Sequence, residues 1–249
     1  MPDLKGKSAV VVGASSGVGR ATLQALASQG MRVWGVARDR ERLERIVREA
    51  PGEATAVAGD ATGPELAARL LREANPDLVV VCAGARPRLA PVDEQTWESF
   101  SAPWNTDVKV AFHVCQEAAC LPLRPGSAVV IVSSGAAIGG SPLSGGYAGA
   151  KRMQWFLAGY MQRLADAREL GIRFVTVVPK QMIAGTEIAD TASSAYAREG
   201  GITQEKFMER FGQPLTPEGV ADTIVKIARG DAGTQGATLG VTGKGLEVL

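Results

Sequence analysis

The apolar positions of this chain gather into short runs separated by longer mixed stretches. SAVVVG (8–13), RVWGVA (32–37), ATAVAG (54–59), DLVVVC (77–82), SAVVIVS (127–133) and IRFVTVV (172–178) are rich in Val and Ile. Unbroken apolar runs of that length are expected of strands covered on both faces. GATLGV (236–241) is a candidate last strand. Between the runs, helical patterning covers 17–29, 40–49, 63–74, 94–119, 147–168 and 216–229, the last opened by Thr216 as N-cap and Pro217 in the first turn. Strand and helix in alternation predict an α/β fold, a doubly wound parallel sheet of about seven strands with helices on both faces and right-handed crossovers. One segment breaks the rhythm: residues 180–212 form a long excursion of the kind that serves as a lid or binding loop. The pairs Glu41–Arg45 and Glu44–Arg48 read as the solvated face of a helix.

Composition narrows the function. With 249 residues and no linker or low-complexity tract, 1–249 reads as a single domain. Twenty-seven basic residues face 26 acidic ones, so no global field draws the chain to nucleic acid or to a membrane surface. No apolar run nears the ~20 residues a membrane span needs, and the opening MPDLKGKSAV lacks a signal pattern. Cys82, Cys115 and Cys120 are odd in number and without C-x-x-C spacing, which suits reduced, mostly buried thiols in a cytoplasmic protein. His113, the sole histidine, cannot build a metal cluster or a nucleophile triad by itself and reads as a helix residue with its polar tip satisfied. No metal is expected.

The first strand runs straight into GASSGVG (13–19). Gly13 suits a tight turn, Gly17 a close approach of backbone to phosphate, and Gly19 close packing of helix on sheet. With Ser15, Ser16 and Val18 they form a loop at the start of the first helix, whose free N–H groups attract a pyrophosphate. Glycines at this strand-to-helix turn point to a Rossmann-type dinucleotide site, although the spacing is G-x-x-x-G-x-G. The second strand ends Ala37-Arg38. A carboxylate there would bind a ribose 2′-OH, whereas an arginine suits a 2′-phosphate, so NADP(H) is favoured over NAD(H). Asp39 follows and could soften that preference.

SGGYAGAK (144–151) sets Tyr147 and Lys151 one helical turn apart, on one face. The loop GASSGVG, the pair Ser133-Ser134 and YAGAK stand in order on one α/β frame, and together they resemble the short-chain dehydrogenase/reductase superfamily over essentially the whole chain. The resemblance implies an oxidoreductase that moves a hydride between nicotinamide and a small to medium carbonyl or alcohol. Tyr147 would be its general acid/base, Lys151 would serve the tyrosine and hold the nicotinamide ribose, and Ser134 would hold the substrate oxygen. The physics agrees: a free phenol keeps its proton to about pH 10, and an adjacent ammonium favours the phenolate. The resemblance further puts Asp60 and Ala61 near the adenine, Ala83 and Gly84 against the cofactor, Pro179 and Ile183 beside the nicotinamide, and implies a homodimer or homotetramer built on the helices at 94–119 and 147–168.

Three places depart from the family's pattern. VCAG (81–84) replaces its usual N-N-A-G. In WNTDVKVAF the register favours Asp107 at the position of a relay asparagine, with Asn105 the competing choice; an aspartate would set a negative charge near Lys151. Pro179-Lys180 replaces P-G, and Thr186 comes late for the family's threonine. These departures leave open a non-catalytic NADP(H)-binding sensor or scaffold. A second alternative is a 3-ketoacyl reductase acting on acyl carrier protein, for which Arg86 and Arg88 would supply a basic docking patch. Met182, Ile183, Tyr196, Phe207, Met208 and Phe211 in the excursion suggest a moderately apolar substrate.

Overall fold

The computed structural model describes residues 3–121, 123–231, 234 and 238–249. Its sheet has eight strands: β1 (Ser8–Val12), β2 (Arg32–Ala37), β3 (Ala54–Ala58), β4 (Leu78–Val81), β5 (Ala128–Val132), β6 (Arg173–Pro179), β7 (Thr238–Thr242) and β8 (Gly245–Val248). They lie in the order β3-β2-β1-β4-β5-β6-β7-β8, parallel except for the last pair. The eighth strand exceeds the seven expected. It is exposed apart from the half-covered Leu246, so it lacks the apolar run that marked the others, and it hangs from β7 by the short turn at Gly243-Lys244. Residues 236 and 237, the start of the run expected for the last strand, lie outside the described residues.

Period-two alternation divides the core. Ala9, Val11, Val80 and Val130 point to one face, where α1 (Gly17–Ser28), α2 (Arg40–Arg48) and α10 (Pro217–Arg229) cover them with Leu23, Leu26, Leu43 and Ile224. Val10, Val12, Val79 and Ile131 point to the other, under α3 (Pro64–Ala74), α5 (Lys109–Cys120) and α7 (Gly146–Ala167). Each fully buried Leu or Ile contributes about 1.5–3 kcal/mol. Thr216 Oγ1 accepts the Gly219 N–H at 3.2 Å, so α10 is capped as its sequence implies. The order reverses between β1 and β4, the switch point where such sheets open a crevice at their carboxyl ends.

The helix expected over 94–119 is three pieces. Thr96 and Ser99 cap each other and start α4 (Trp97–Pro103). A π-helical turn, Trp104–Val108, follows, and only then α5. Pro103 cannot donate to the carbonyl four residues back, which interrupts regular α hydrogen bonding there. Such π turns recur at functional sites, and this one carries Asp107. The excursion at 180–212 folds into α8 (Glu187–Glu199) and α9 (Gln204–Glu209) after the short α6 (Ala136–Gly139) has closed the exit of β5.

Several smaller expectations need correction. The ion pair on α2 joins Arg40 to Glu44 at 3.7 Å, not the pairs read from the sequence. Cys115 is buried, Cys82 is half-buried and Cys120 is exposed. His113 sits on α5, but its Nδ1 is buried without a protein partner. Among the described residues, no helix is long and apolar enough to cross a membrane, and no three metal-binding side chains cluster.

Candidate active site

A cleft of about 970 Å³ opens along the carboxyl ends of the strands. Gly13, Ser15, Ser16, Gly17, Val18 and Gly19 line one end. A Cβ on Gly13, whose φ is +92°, would fall 2.5 Å from Ala83 N, and one on Gly19 would fall 2.1 Å from Gly13 O. The loop is therefore pressed between the exits of β1 and β4, and only glycine fits at these two positions. Ser16, the N-cap of α1, makes no side-chain cap bond, and the first turn carries no acidic residue. That helix start can give its N–H groups to a phosphate, so the residues present fit a dinucleotide.

Arg38 is exposed at the end of β2 and lines the cleft together with Arg42, one helical turn further on. Asp39 accepts the Arg42 N–H at 3.0 Å and caps α2, a local duty for the carboxylate that could have opposed a 2′-phosphate. Asp60 and Ala61 lie across the cleft beyond β3. Asp60 accepts the Thr62 N–H at 3.0 Å, and that bond, helped by Arg38 and Lys109, holds its carboxyl below the usual aspartate value. Ala83 and Gly84 line the floor; Pro179 and Ile183 line the far side.

At the other end stand Ser134, Tyr147 and Lys151. Ser134 Oγ accepts the Ala136 N–H at 3.2 Å, which leaves its own proton to donate into the cleft. Ser133 is spent elsewhere: its hydroxyl donates to Lys151 O at 2.8 Å, tying the end of β5 to α7. Lys151 Nζ lies 5.6 Å from the Tyr147 ring centre. The ammonium also sits 3.0 Å from Asp107 Oδ2, an ion pair outside hydrogen-bond alignment, and both side chains are nearly inaccessible, 7% and 0% exposed. It donates to Gln154 Oε1 at 3.1 Å and Val132 O at 3.4 Å. Burial by itself would depress this lysine, but Asp107, Tyr147 and Cys82 overcome it and raise its pKa above the ordinary value. Burial pushes the Cys82 thiol up to about 12, with Lys151 opposing, so it stays protonated.

Asp107 thus stands beside Lys151, whereas Asn105 is exposed and donates to Ser101 Oγ at 3.4 Å. The other oxygen of Asp107 accepts the Ala85 N–H at 2.7 Å. A Cβ on Gly84 would fall 2.8 Å from Asp107 Oδ2, so the carboxylate fills the space beneath the β4 exit. Lys180 lines the cleft but its ammonium is taken up: it pairs with Glu247 of β8 and its stem crosses Gly240. Thr186 caps α8, and its methyl lies 3.5 Å from where a Gly17 Cβ would stand. Arg86 binds Glu187 of α8 and Arg42 lies 3.8 Å from the same carboxylate, so Arg86 is engaged within the chain.

Sequence reading missed Gln154, whose Nε2 donates to Asp107 O at 2.9 Å while its Oε1 receives Lys151. Its place three residues after Lys151 on one helix was the available signal. Arg42, four residues after Arg38, was legible in the same way. Glu187 left no local signal, because its partners come from two distant segments.

The chain matches the model of the short chain dehydrogenase family over residues 7–197. It is 29% identical to 2,3-dihydro-2,3-dihydroxybenzoate dehydrogenase of Bacillus subtilis (strain 168), over 96% of this chain and 98% of that one. It is 32% identical to L-xylulose reductase of Cavia porcellus, over 96% of both chains. A solved structure, NAD+-bound xylitol dehydrogenase, superimposes with a TM-score of 0.84 over 97% of this chain and 100% of that one at 20% identity, a likeness of fold. The chain therefore belongs to the short chain dehydrogenase family and is an oxidoreductase of that type.

Proposed function

We propose that the protein is an NADPH-dependent carbonyl reductase, able to run in reverse as an alcohol dehydrogenase, with Ser134, Tyr147, Lys151 and Asp107 as its working residues. The observation that carries this reading is that Ser134, Tyr147 and Lys151 share one cleft with the glycine loop and Arg38. Bound nicotinamide would supply the hydride, two electrons with a proton, to the carbonyl carbon. Ser134 donates a hydrogen bond to the substrate oxygen and steadies its growing charge. Tyr147 gives that oxygen a proton and recovers one from solvent. Lys151 sets positive charge beside the phenol and would hydrogen-bond the ribose of a bound cofactor. Asp107, with Gln154, holds Lys151 in place. The lid made of α8 and α9 closes over the substrate and excludes water. Despite the departures at Val81, Cys82, Asp107 and Lys180, the chain keeps Ser134, Tyr147 and Lys151 in one cleft, which weighs against a non-catalytic sensor. The engagement of Arg86 with Glu187 weighs against a docking patch for acyl carrier protein.

The cofactor preference rests on Arg38, with Arg42 beside it though paired with Glu187, and with one oxygen of Asp39 taken up by the helix cap. Fluorescence titration is expected to give NADPH an affinity about 10–100-fold above NADH, the worth of a charge-assisted hydrogen bond. Arg38→Ala should remove most of that margin and leave NADH binding nearly unchanged. An NADH preference in the unmodified protein would overturn the assignment.

The same reading makes the protein a cytoplasmic homodimer or homotetramer. Phe112 on α5 and Phe156 and Tyr160 on α7 are 43–49% exposed, and the last two stack at 6.2 Å. Large apolar side chains grouped on a surface suit a partner. Light scattering at micromolar concentration is expected to return a dimer or tetramer, and monomer alone would count against it.

A further inference from the structure

The lid supplies an aromatic wall to the substrate end of the cleft. Tyr196 on α8 and Phe207 on α9 stack at 5.7 Å with their planes 12° apart, and Phe211 meets Phe207 edge-on at 5.8 Å. All three rings line the cleft that holds Ser134 and Tyr147, with Met182 and Ile183 nearby.

The polar groups at that end are already engaged. The Tyr196 hydroxyl and Ser141 Oγ bond each other. Ser144 Oγ donates to Ser141 O at 2.8 Å and accepts the Ser141 N–H at 3.0 Å. Of the nearby charges, Lys180 is held by Glu247, Arg86 by Glu187, and Arg38 and Arg42 lie at the β2 end; Arg210 sits over the Phe207 ring at 5.4 Å but is not among the residues that line the cleft. What faces the substrate is therefore ring surface and thioether, with Ser134 and Tyr147 to meet one oxygen. A polyhydroxylated chain entering here would leave hydroxyls unpaired, each losing roughly tenfold or more in affinity. A flat ring would find faces to stack on.

Resting on the reductase reading, we infer that the substrate is an uncharged, flat cyclic ketone, or the alcohol it yields, whose ring packs against Tyr196, Phe207 and Phe211 while its single oxygen sits between Ser134 and Tyr147.

The test uses α-tetralone and L-xylulose as probes, titrated calorimetrically into the full chain with and without NADP+. Reduction is followed separately by NADPH absorbance. α-Tetralone is expected to bind at least ~10-fold more tightly than L-xylulose, and Phe207→Ala to weaken it about tenfold with NADP+ affinity unchanged. Phe207→Leu keeps apolar bulk without a ring face, so it should fold normally and still bind the ring compound less well than the parent. Tighter binding of L-xylulose, no binding of α-tetralone, or indifference to both Phe207 variants would overturn the inference. α-Tetralone that binds through Phe207 without being reduced leaves the ring site standing and removes the reductase reading instead.

Discussion

Replacing Tyr147 by Phe is expected to lower kcat for ketone reduction by about 10²–10⁴-fold, the usual span for losing a general acid. The substitution removes one oxygen and keeps the ring beside Lys151, whose Nζ lies 5.6 Å from its centre. Neither core packing nor the glycine loop is touched, so NADPH affinity and thermal unfolding should stay close to those of the parent. The loss should fall on kcat with KM little changed, because the hydroxyl delivers its proton in the transition state more than it holds the ground state. Stopped-flow single turnovers under saturating NADPH make the measurement free of product release. A variant that keeps even half the parent rate would remove Tyr147 from the chemistry and return the question to the surrounding hydroxyls.

The fold was legible because it is carried by local signals. Val-rich runs announced β1, β4, β5 and β6, and the glycines at 13, 17 and 19 announced a turn in which Gly13 and Gly19 leave no room for a side chain. β8 escaped because an exposed edge strand needs no apolar run. The break at Trp104–Val108 was signalled by Pro103, which lies well inside the stretch expected as one helix and removes a hydrogen-bond donor there, but the long apolar patterning of 94–119 hid it. Of the candidate site, Tyr147, Lys151 and Ser134 were visible through spacing along the chain and resemblance. The pairing of Asp107 with Lys151 was raised as a choice between two registers, and the π turn puts Asp107 inside and Asn105 outside. Glu187 with Arg42 and Arg86 was beyond reach, since three segments far apart in sequence meet only once the sheet has folded.

The second large effect is expected at Asp107. Asp107→Ala should cost about 3–5 kcal/mol at pH 7, the price of breaking a buried pair and leaving one charge behind. The buried ammonium of Lys151 loses its carboxylate at 3.0 Å, and the Ala85 N–H loses its acceptor at 2.7 Å. Asp107→Asn keeps an acceptor for Ala85 and should cost less, which separates the charge from the hydrogen bond. The pH dependence carries the sign. In the parent, Lys151 has its pKa raised, so the pair's contribution is complete below the ordinary lysine value and fades only as pH climbs through the raised one. Without Asp107 the largest raising influence is gone, and burial, the strongest single influence, is expected to outweigh Tyr147 and Cys82 and bring the lysine below its ordinary value. A buried lysine so depressed destabilises the fold at neutral pH and ceases to do so as it deprotonates. The deficit of Asp107→Ala should therefore narrow between pH 7 and about pH 10 as the variant's lysine sheds its proton, while the parent's pair, still intact over that range, keeps the deficit above the part due to Ala85. Urea unfolding of parent and both variants at the two pH values reads this directly. A deficit that is the same at both would mean that Asp107 acts by shape and hydrogen bonding, and that its charge does nothing for Lys151.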